Sequence, residues 1–419
     1  MSRIGIISIH CSKGLMALKA TGIIVEYNPF HNGHLYHAAQ AKKRTEADVV
    51  IAVMSGNFLQ RGEPAFIHKW ARAEMALHNG VDLVFELPYA FATAHAPTFA
   101  EGAIRILDAA RCSTFCFGSE DGEIAPFQRS LHLLRQAGGQ YEQVVQDAVS
   151  RGLSYPKALN EAYLAAATTV PVDEPLADLS KPNNILGFHY MEAAQAIDST
   201  MQAITIPRII AQYHDDAIPG NQIASATGIR KAFFQSDGLQ AVNAFIPETT
   251  RDVLLDWQAD QQQFGSWSTL YPYLRYTILR EGPERLKTIA DITEGIENLF
   301  IRAATTHSTF EHFMGEVKSK RYTWTRIQRM LTHIFTGFTY SMRQMMPAPS
   351  YLRLLGMTAA GQRYLNETKK KMKLPLISKA AAYTDPSLQM DIHASNMYAL
   401  GIGNDQIGSD YERHPIIIR

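Results

Sequence analysis

Along the first half of the chain, short apolar runs alternate with segments in which apolar residues recur at helical spacing. Short β-branched runs that end at turn residues are typical of buried strands, and longer periodic segments are typical of helices. We predict strands at five segments: Gly22–Val25, Asp48–Met54, Val81–Leu87, Thr114–Phe117 and Ala203–Arg208. Helices are predicted to begin near Gly33, His68, Phe99 and Ile185, and Asn183 or Asn184 is predicted to cap the last of them. This alternation predicts βαβ units, and therefore an α/β fold with a Rossmann-like parallel sheet.

From about Asp237 onward the strand–helix alternation stops and helical periodicity dominates. With 419 residues, the chain is also longer than one ordinary hydrophobic core requires. We therefore predict an α/β domain over residues 16–236 and a mainly α-helical domain over residues 237–419. Residues 1–15 are expected to be a disordered extension.

The polar segments that follow three of the predicted strands are expected to converge. In an open parallel sheet, ligands bind in the crevice beyond the carboxyl ends of the strands. Residues 26–34, 55–62 and 118–121 all follow such ends. The sequence therefore predicts a single site built from these three segments.

The junction at residues 21–35, TGIIVEYNPFHNGHL, carries the most specific chemistry. His31 and His34 lie where a strand gives way to a helix, beside backbone N–H groups that we expect to be unpaired. A helix N-terminus favours phosphate, and Gly33 has no Cβ, so a flat ring can lie close to the backbone. A single strand-end histidine would be interpreted as structural, whereas this pair favours phosphate contacts.

Composition narrows the class of protein. Hydrophobic residues make up 46% and charged residues 19% of the chain, as in a globular enzyme, and Lys+Arg equals Asp+Glu at 40 each. No apolar run approaches the roughly 18 residues that span a bilayer. Cys11, Cys112 and Cys116 are too few for a disulfide scaffold and lack metal-binding spacing, so we expect reduced thiols, no metal site and a cytoplasmic protein.

A basic segment lies within this neutral chain. Between Lys318 and Lys373 there are twelve Lys or Arg residues and one acid, Glu367, with aromatic residues interleaved. Such a segment is typical of a surface that neutralises an RNA backbone, although the same residues can also coat a solvated helix or turn. The residues predicted to contact RNA are Lys318, Lys320, Arg321, Arg326, Arg329, Lys369, Lys370 and Lys371.

The element His-Xaa-Gly-His after a first strand resembles the nucleotidyltransferases of the class I aminoacyl-tRNA synthetase superfamily. The longer strings EYNPFHNGH and SGNFLQRGEPA resemble one family, the bacterial tRNA(Met) cytidine acetate ligases, and the resemblance extends from about Met16 to the C-terminus. It implies that acetate attacks the α-phosphate of ATP to give acetyl-adenylate and pyrophosphate. The acetyl group then passes to N4 of the wobble cytidine of elongator tRNA(Met). Mg²⁺ is expected with the triphosphate.

The resemblance also implies roles for individual residues. His31 and His34 would be catalytic, because they would hydrogen-bond the charge that develops on the α- and β-phosphates as pyrophosphate leaves. At Gly228 the sequence departs from the family's second phosphate-binding signature. From that segment, only Ser225, Thr227 and Arg230 are therefore included among the implied ATP contacts. The implied ATP contacts are Gly22, Ile23, Ile24, Val25, Glu26, Tyr27, Asn28, Pro29, Phe30, His31, Asn32, Gly33, His34, Leu35, Gly118, Asn183, Arg208, Ser225, Thr227 and Arg230.

The loop after the second strand is where the superfamily commonly holds the acceptor. Arg61 is the third candidate catalytic residue, since a guanidinium pairs with a carboxylate such as acetate in bidentate fashion. The residues predicted to bind acetate are Ser55, Asn57, Gln60 and Arg61. The alternative is a solvent-facing loop. Lys69 and Arg72, on the next helix, are weaker candidates that are equally well explained as surface charges.

Two other functions fit parts of the sequence. A cofactor-making adenylyltransferase of the pantetheine-phosphate or nicotinamide-mononucleotide type would explain the histidines but not the basic second half. A non-catalytic tRNA-binding protein would explain the second half but not the intact His31, Gly33, His34 and Arg230. The three functions can be distinguished by measuring the exchange of labelled pyrophosphate into ATP and by finding which acceptor that exchange requires.

Overall fold

The computed structural model describes residues 18–153, 155–169, 174–208, 222–260, 262–293, 295–319, 322–404 and 406–419. The predicted extension at residues 1–15 lies outside these ranges, as do two of the predicted RNA contacts, Lys320 and Arg321.

The described part of the chain contains eight strands, which belong to one sheet. The strands are β1 (Ala20–Val25), β2 (Val49–Ser55), β3 (Leu83–Leu87), β4 (Thr114–Ser119), β5 (Gln202–Pro207), β6 (Leu352–Thr358), β7 (Leu376–Ile377) and β8 (Ile416–Ile418). The five strands predicted from the sequence correspond to β1 to β5. The runs of β2 and β3 are buried at every position, as in central strands covered on both faces, whereas β5 is at the edge of the sheet and is partly exposed.

Eighteen α-helices connect and cover these strands in the described residues. Those of the first half are α1 (Asn32–Thr45), α2 (Lys69–His78), α3 (Tyr89–Ala92), α4 (Ala96–Ala109), α5 (Ala125–Ala137), α6 (Gly139–Ser150), α7 (Tyr155–Thr169), α8 (Pro182–Ala196) and α9 (Ala226–Gln235). Those of the second half are α10 (Glu248–Ala259), α11 (Trp267–Leu286), α12 (Ile296–Thr306), α13 (Phe310–Val317), α14 (Trp324–Thr336), α15 (Tyr340–Met345), α16 (Ala359–Thr368), α17 (Pro386–Gly401) and α18 (Ser409–Glu412). Among them, no helix is long and apolar enough to cross a membrane.

The strand order is β5-β4-β1-β2-β3-β6-β7, and β8 pairs with β6 beside β7. Strands β1 to β5 are parallel to one another, which confirms the predicted Rossmann-like sheet. The order reverses direction at β1, since β2 and β3 extend to one side and β4 and β5 to the other. A crevice at such a switch point is the usual ligand site of an open α/β sheet.

The end of the chain completes the sheet. Strand β6 pairs antiparallel with β3, and β7 and β8 share the outer edge of β6. The sequence analysis did not predict these three strands, because the helical periodicity around them dominates and because β6 contains the buried Arg353. The division at residue 237 remains a prediction, but strands from both sides of it lie in one sheet.

Lys69 and Arg72, the weaker acetate candidates, are 1% and 0% exposed and are therefore not surface charges. Lys69 Nζ donates to Glu86 Oε1 at 2.7 Å and to Asp410 Oδ2 at 2.6 Å. Trp70 Nε1 donates to the other oxygen of Asp410 at 2.7 Å. This buried ion cluster joins α2 and β3 to α18 near the C-terminus.

The Arg72 guanidinium connects the ends of two central strands. Its Nη1 donates to the backbone oxygens of Glu26 at 2.6 Å and Ser55 at 3.1 Å. Its Nη2 donates to the oxygen of Gly56, and its Nε to that of Ile67 at 3.1 Å. Arg72 therefore satisfies buried carbonyl groups that would otherwise lack partners and fixes the loops that leave β1 and β2.

Candidate active site

A cavity of about 480 Å³ lies beyond the carboxyl ends of the parallel strands, where the sequence predicted a site. All three segments that were expected to converge contribute to its wall. The predicted site residues that line it are Ile24, Val25, Glu26, His31, Gly33, His34, Gln60, Arg61, Gly118, Asn183, Arg208 and Ser225. The volume is within the range that holds a nucleotide-sized ligand.

Two histidines form the N-terminus of α1. His31 is the N-cap residue, and its Nδ1 accepts a hydrogen bond from Gly33 N at 3.0 Å. His34 Nδ1 accepts in turn from His31 N at 3.2 Å. A Cβ on Gly33 would lie 2.9 Å from the His31 ring, so the flat ring that the glycine admits is that of His31 itself.

The expectation that backbone N–H groups are unpaired here is therefore wrong for two of them. Because the Nδ1 atoms of His31 and His34 accept these N–H groups, a neutral imidazole carries its proton on Nε2 in both cases. The two Nε2–H groups are thus the donors that the rings offer to a ligand. A phosphate bound here would accept hydrogen bonds from the imidazole N–H groups and not from the backbone N–H of Gly33, which already donates to His31 Nδ1.

Both rings are neutral near pH 7. Burial, followed by the positive charge of Arg208, lowers the pKa of His31 to about 3. The pKa of His34 lies well below its ordinary value, first because the ring is buried and then because His31, His37 and Arg208 are close. The positive charge at this end of the cavity therefore comes from Arg208, and the imidazoles supply hydrogen bonds without charge.

Asn183 and Arg208 line the cavity and form one hydrogen-bonded chain with Glu120, which does not line it. Arg208 Nη1 donates to Asn183 Oδ1 at 2.5 Å, and Asn183 Nδ2 donates to Glu120 Oε1 at 2.6 Å. The other carboxylate oxygen of Glu120 accepts from Asn184 N at 2.9 Å. The prediction that an asparagine caps this helix is wrong, because the N-cap is Lys181 and the capping acceptor is Glu120 from the end of β4.

Another part of the wall comes from the loop after β2. Gln60 N donates to Glu26 Oε1 at 2.8 Å, and Gln60 Nε2 donates to Ala94 O at 3.1 Å. Arg61 also lines the cavity. Of the four residues predicted to bind acetate, the structure therefore brings Gln60 and Arg61 to the cavity.

The other two acetate candidates have structural partners. Ser55 is fully buried at the end of β2. Asn57 Oδ1 accepts from Lys69 N at 2.7 Å at the start of α2. Neither lines the cavity.

Several predicted ATP contacts also lie off the cavity wall. Gly22 faces Leu107, which a Cβ would approach to 2.5 Å, and Asn32 Nδ2 donates to Gln222 O at 2.9 Å. The predicted contacts that do not line the cavity are Gly22, Ile23, Tyr27, Asn28, Pro29, Phe30, Asn32, Leu35, Thr227 and Arg230. Their roles in ATP binding remain predictions.

Arg230 does not line the cavity, but it hydrogen-bonds to the loops that follow β1 and β2. Its Nη1 donates to Asn28 O at 2.8 Å, and its Nη2 pairs with Glu63 Oε2 at 2.8 Å. Ser225, at the start of the same helix, is the N-cap, and its Oγ accepts from Gly228 N at 3.1 Å. Arg230 therefore links α9 to the loops that follow β1 and β2.

The sequence analysis missed a third histidine and most of the apolar wall. His37 lies two turns beyond His31 on α1, and its buried Nε2 has no hydrogen-bond partner among the described residues. The spacing of three residues between His31, His34 and His37 was the signal that could have identified it. The wall residues that were not selected are Tyr36, His37, Phe99, Phe117, Leu186, Tyr190, Ile206, Pro207, Ile223 and Ala224.

The predicted RNA-binding residues separate into two groups. Helix α14, which carries Arg326 and Arg329, lies against the loop after β2, where Gly62 approaches so closely that a Cβ would be 2.2 Å from Arg329 N. Lys369–Lys371 form a 3₁₀ turn, and the nearby Lys373 N donates to Ala109 O, at the edge where the parallel strands begin. Arg326 and Arg329 are therefore on a helix beside a loop that contributes to the cavity, and Lys369–Lys371 are at the opposite edge of the sheet.

Comparison with known proteins agrees with this geometry. The family model described as HIGH Nucleotidyl Transferase matches residues 18–412. The chain belongs to this family. Within the family it is 52% identical to a tRNA(Met) cytidine acetate ligase of Lysinibacillus sphaericus (strain C3-41), over 95% of this chain and 100% of that protein. It is 43% identical to the protein of the same name from Bacillus subtilis (strain 168), over 92% of this chain and 93% of that one.

Solved structures of the family have the same fold. Thermotoga maritima TmcAL bound with alpha-thio ATP superimposes with a TM-score of 0.86 at 31% identity, over 96% of this chain and 100% of that chain. The apo form of the same protein gives a TM-score of 0.87 at 32% identity.

Proposed function

We propose that this protein is an ATP-dependent tRNA(Met) cytidine acetate ligase. It forms acetyl-adenylate from acetate and ATP, and it acetylates N4 of the wobble cytidine (position 34) of elongator tRNA(Met) to give N4-acetylcytidine. The observation that carries the proposal is 52% identity, over 95% of this chain and all of the relative, to a protein named for this reaction. A protein that modifies tRNA works where tRNA is, so the proposal also predicts a cytoplasmic location.

The stacked histidines are suited to the adenylation step. As the bond between the α-phosphorus and the bridging oxygen breaks, negative charge grows on the leaving pyrophosphate. The Nε2–H groups of His31 and His34 can donate to these oxygens without a proton changing place, since both rings are neutral. Arg208 adds a positive charge at the same end of the cavity.

The apolar wall is suited to adenosine. Phe117, Leu186, Tyr190 and Ile206 offer flat or branched apolar surface. Beside them, Glu120 holds Asn183 by a hydrogen bond of 2.6 Å, so the asparagine amide is fixed before a nucleotide arrives. A preorganised polar group next to apolar surface gives a base a defined orientation at a low entropic cost.

Arg61 and Gln60 are suited to the acetate. A guanidinium in the cavity can pair with a carboxylate and direct one of its oxygens at the α-phosphorus. Arg61→Gln should raise the acetate concentration needed for half-maximal pyrophosphate exchange about tenfold or more and leave the KM for ATP within about twofold. An unchanged acetate requirement would remove Arg61 from the acetate site.

Mg²⁺ is expected to arrive with the triphosphate. The described residues contain no cluster of three or more His, Cys, Asp or Glu side chains that could hold a metal ion. The phosphate oxygens would therefore provide most of its ligands, and Mg²⁺ would offset their charge.

Exchange of labelled pyrophosphate into ATP tests the proposal. Exchange that depends on acetate, together with N4-acetylcytidine in elongator tRNA(Met) after addition of the tRNA, supports it. Exchange that requires phosphopantetheine or nicotinamide mononucleotide would identify a cofactor adenylyltransferase instead. The absence of any exchange in a preparation that still binds tRNA would identify a binding protein.

A further inference from the structure

Transfer of the acetyl group to cytidine requires a base. The lone pair of the exocyclic N4 is delocalised into the cytosine ring, so the amine is a poor nucleophile until it loses a proton. A side chain that accepts this proton as the C–N bond forms lowers the barrier, commonly by about 10²- to 10⁴-fold in rate. The base must lie in the same cavity as the acetyl-adenylate, within hydrogen-bond reach of N4.

Glu26 is the carboxylate in the right place. It directly follows β1 and lines the same cavity as His31, His34 and the loop residues Gln60 and Arg61. Its Oε1 accepts from Gln60 N at 2.8 Å, which fixes the orientation of the carboxylate. Its Oε2 has no hydrogen-bond partner among the residues that the structure describes, so this oxygen can take a proton from a ligand.

The groups that face Glu26 come from each element around it. Arg61 and Glu63 lie on the loop after β2, and Arg230 lies on α9. From α2, Arg72 donates to the backbone oxygen of Glu26, and its guanidinium is close enough to interact with the carboxylate.

On α8, the phenol of Tyr190 also interacts with Glu26. Burial is the largest influence and raises the pKa of Glu26 above its ordinary value, the hydrogen bond from Gln60 N lowers it, and Glu63 raises it again. A carboxyl group of this kind holds a proton more firmly than an exposed glutamate does, which is what a general base near neutral pH requires.

We propose that Glu26 is the general base of acetyl transfer and that its Oε2 removes the proton from N4 of the target cytidine. The inference depends on the proposed function, since it assigns a role in the second half of that reaction. A bond forms between N4 and the carbonyl carbon of the acetyl-adenylate. The bond between that carbon and the phosphate oxygen breaks, AMP leaves with the electron pair, and the N4 proton passes to Glu26.

Glu26→Gln separates this role from a structural one. The glutamine amide oxygen can still accept from Gln60 N and has nearly the same volume, but the amide cannot take the proton. Two rates are compared with those of the wild type: acetate-dependent pyrophosphate exchange, and single-turnover acetyl transfer from preformed acetyl-adenylate to saturating tRNA. Transfer should fall about 100-fold or more, and by at least about tenfold more than exchange falls.

Glu192→Gln is the matched control. Glu192 lies on α8, the helix that contributes part of the cavity wall, but its side chain is 51% exposed and does not line the cavity. This variant should keep both rates within about twofold of the wild type. Thermal unfolding of both variants shows whether each is folded.

The pH dependence of transfer supplies a second measurement. In the wild type, the single-turnover transfer rate should rise with pH as Glu26 loses its proton, and this limb should be absent in Glu26→Gln. A transfer rate unchanged by Glu26→Gln overturns the inference, as does an equal loss of exchange and transfer, or a loss that more tRNA restores. Failure of the wild type to catalyse acetate-dependent exchange would instead contradict the proposed function.

Discussion

The imidazole rings of His31 and His34 lie stacked, with their centroids 3.7 Å apart and their planes 24° from parallel. Each ring also pairs its Nδ1 with a backbone N–H group at the start of α1. The arrangement fixes two donors side by side and makes protonation of either ring unfavourable. The two histidines therefore cap α1 and, in the proposed reaction, also present the donors to the leaving pyrophosphate.

Replacing His34 with Ala should reduce acetate-dependent pyrophosphate exchange about 100-fold or more, because one donor to the developing charge is removed. Loss of the cap should also lower the free energy of unfolding by about 1 kcal/mol. tRNA affinity, measured by filter binding, should stay within about twofold.

His68→Ala controls for the capping effect. His68 Nδ1 accepts from Ala71 N at 2.9 Å at the start of α2, but the side chain does not line the cavity. This variant should show a similar loss of stability with exchange nearly intact. If both variants lose exchange equally, His34 acts through folding alone.

The buried histidines should make the protein less stable in acid. Burial lowers the pKa of His68 to about 3 in the folded state, whereas the unfolded state binds a proton near pH 6.5. Between these two values the unfolded state binds more protons, so the free energy of unfolding falls as the pH falls. Substituting His68 with Asn, which can also cap a helix, should reduce the loss between pH 7.5 and pH 5.5 by about 1.4 kcal/mol. Urea unfolding at the two pH values measures this, and an unchanged difference would show that His68 is protonated in the folded protein.

Lys69→Met should destabilise the protein by about 3–5 kcal/mol, because it leaves Glu86 and Asp410 buried without their cation. Urea unfolding followed by circular dichroism measures the change. Lys42→Met removes a half-exposed cation from Asp82, which is buried but keeps hydrogen bonds from Val50 N and Thr358 Oγ1, and should cost about 1 kcal/mol or less. Similar effects of the two substitutions would mean that the Lys69 cluster contributes no more than this half-exposed ion pair.

Neutralising the basic residues at the end of α13 and on α14 should weaken tRNA binding and flatten its salt dependence. In the triple variant Lys318→Gln, Arg326→Gln and Arg329→Gln, the slope of log K against log salt should become less steep by about one for each RNA phosphate that the protein no longer neutralises. Neutralising Lys369–Lys371, at the opposite edge of the sheet, should have the smaller effect. A larger effect of neutralising Lys369–Lys371 than of the triple variant would indicate that the anticodon stem binds at the edge where the parallel strands begin.

The parallel sheet and the place of the cavity followed from sequence because they depend on local pattern. An apolar run followed by a polar turn marks the carboxyl end of a strand, and the ends of β1, β2 and β4 meet wherever the strands are parallel. His31 and His34 were found in the same way, since both lie within one strand-to-helix junction.

Features that depend on distant partners did not follow from sequence. Lys69 and Asp410 are 341 residues apart in the chain, so nothing near Lys69 indicated that it is buried with carboxylates. Likewise, Glu120 replaces Asn183 as the capping group because a strand end and a helix start meet only in the folded protein. Arg230 does not line the cavity described above for a similar reason, since it pairs with Glu63 across 167 positions.

The antiparallel contact between β3 and β6 has a consequence for how the protein is made. While the ribosome is still synthesising the residues before Leu352, the nascent chain can already form β1 to β5, but the outer edge of β3 has no partner. An unprotected apolar edge strand recruits other strands and promotes aggregation. A gene fragment that encodes only the first half should therefore yield insoluble protein, and the two halves of relatives should not be freely exchangeable.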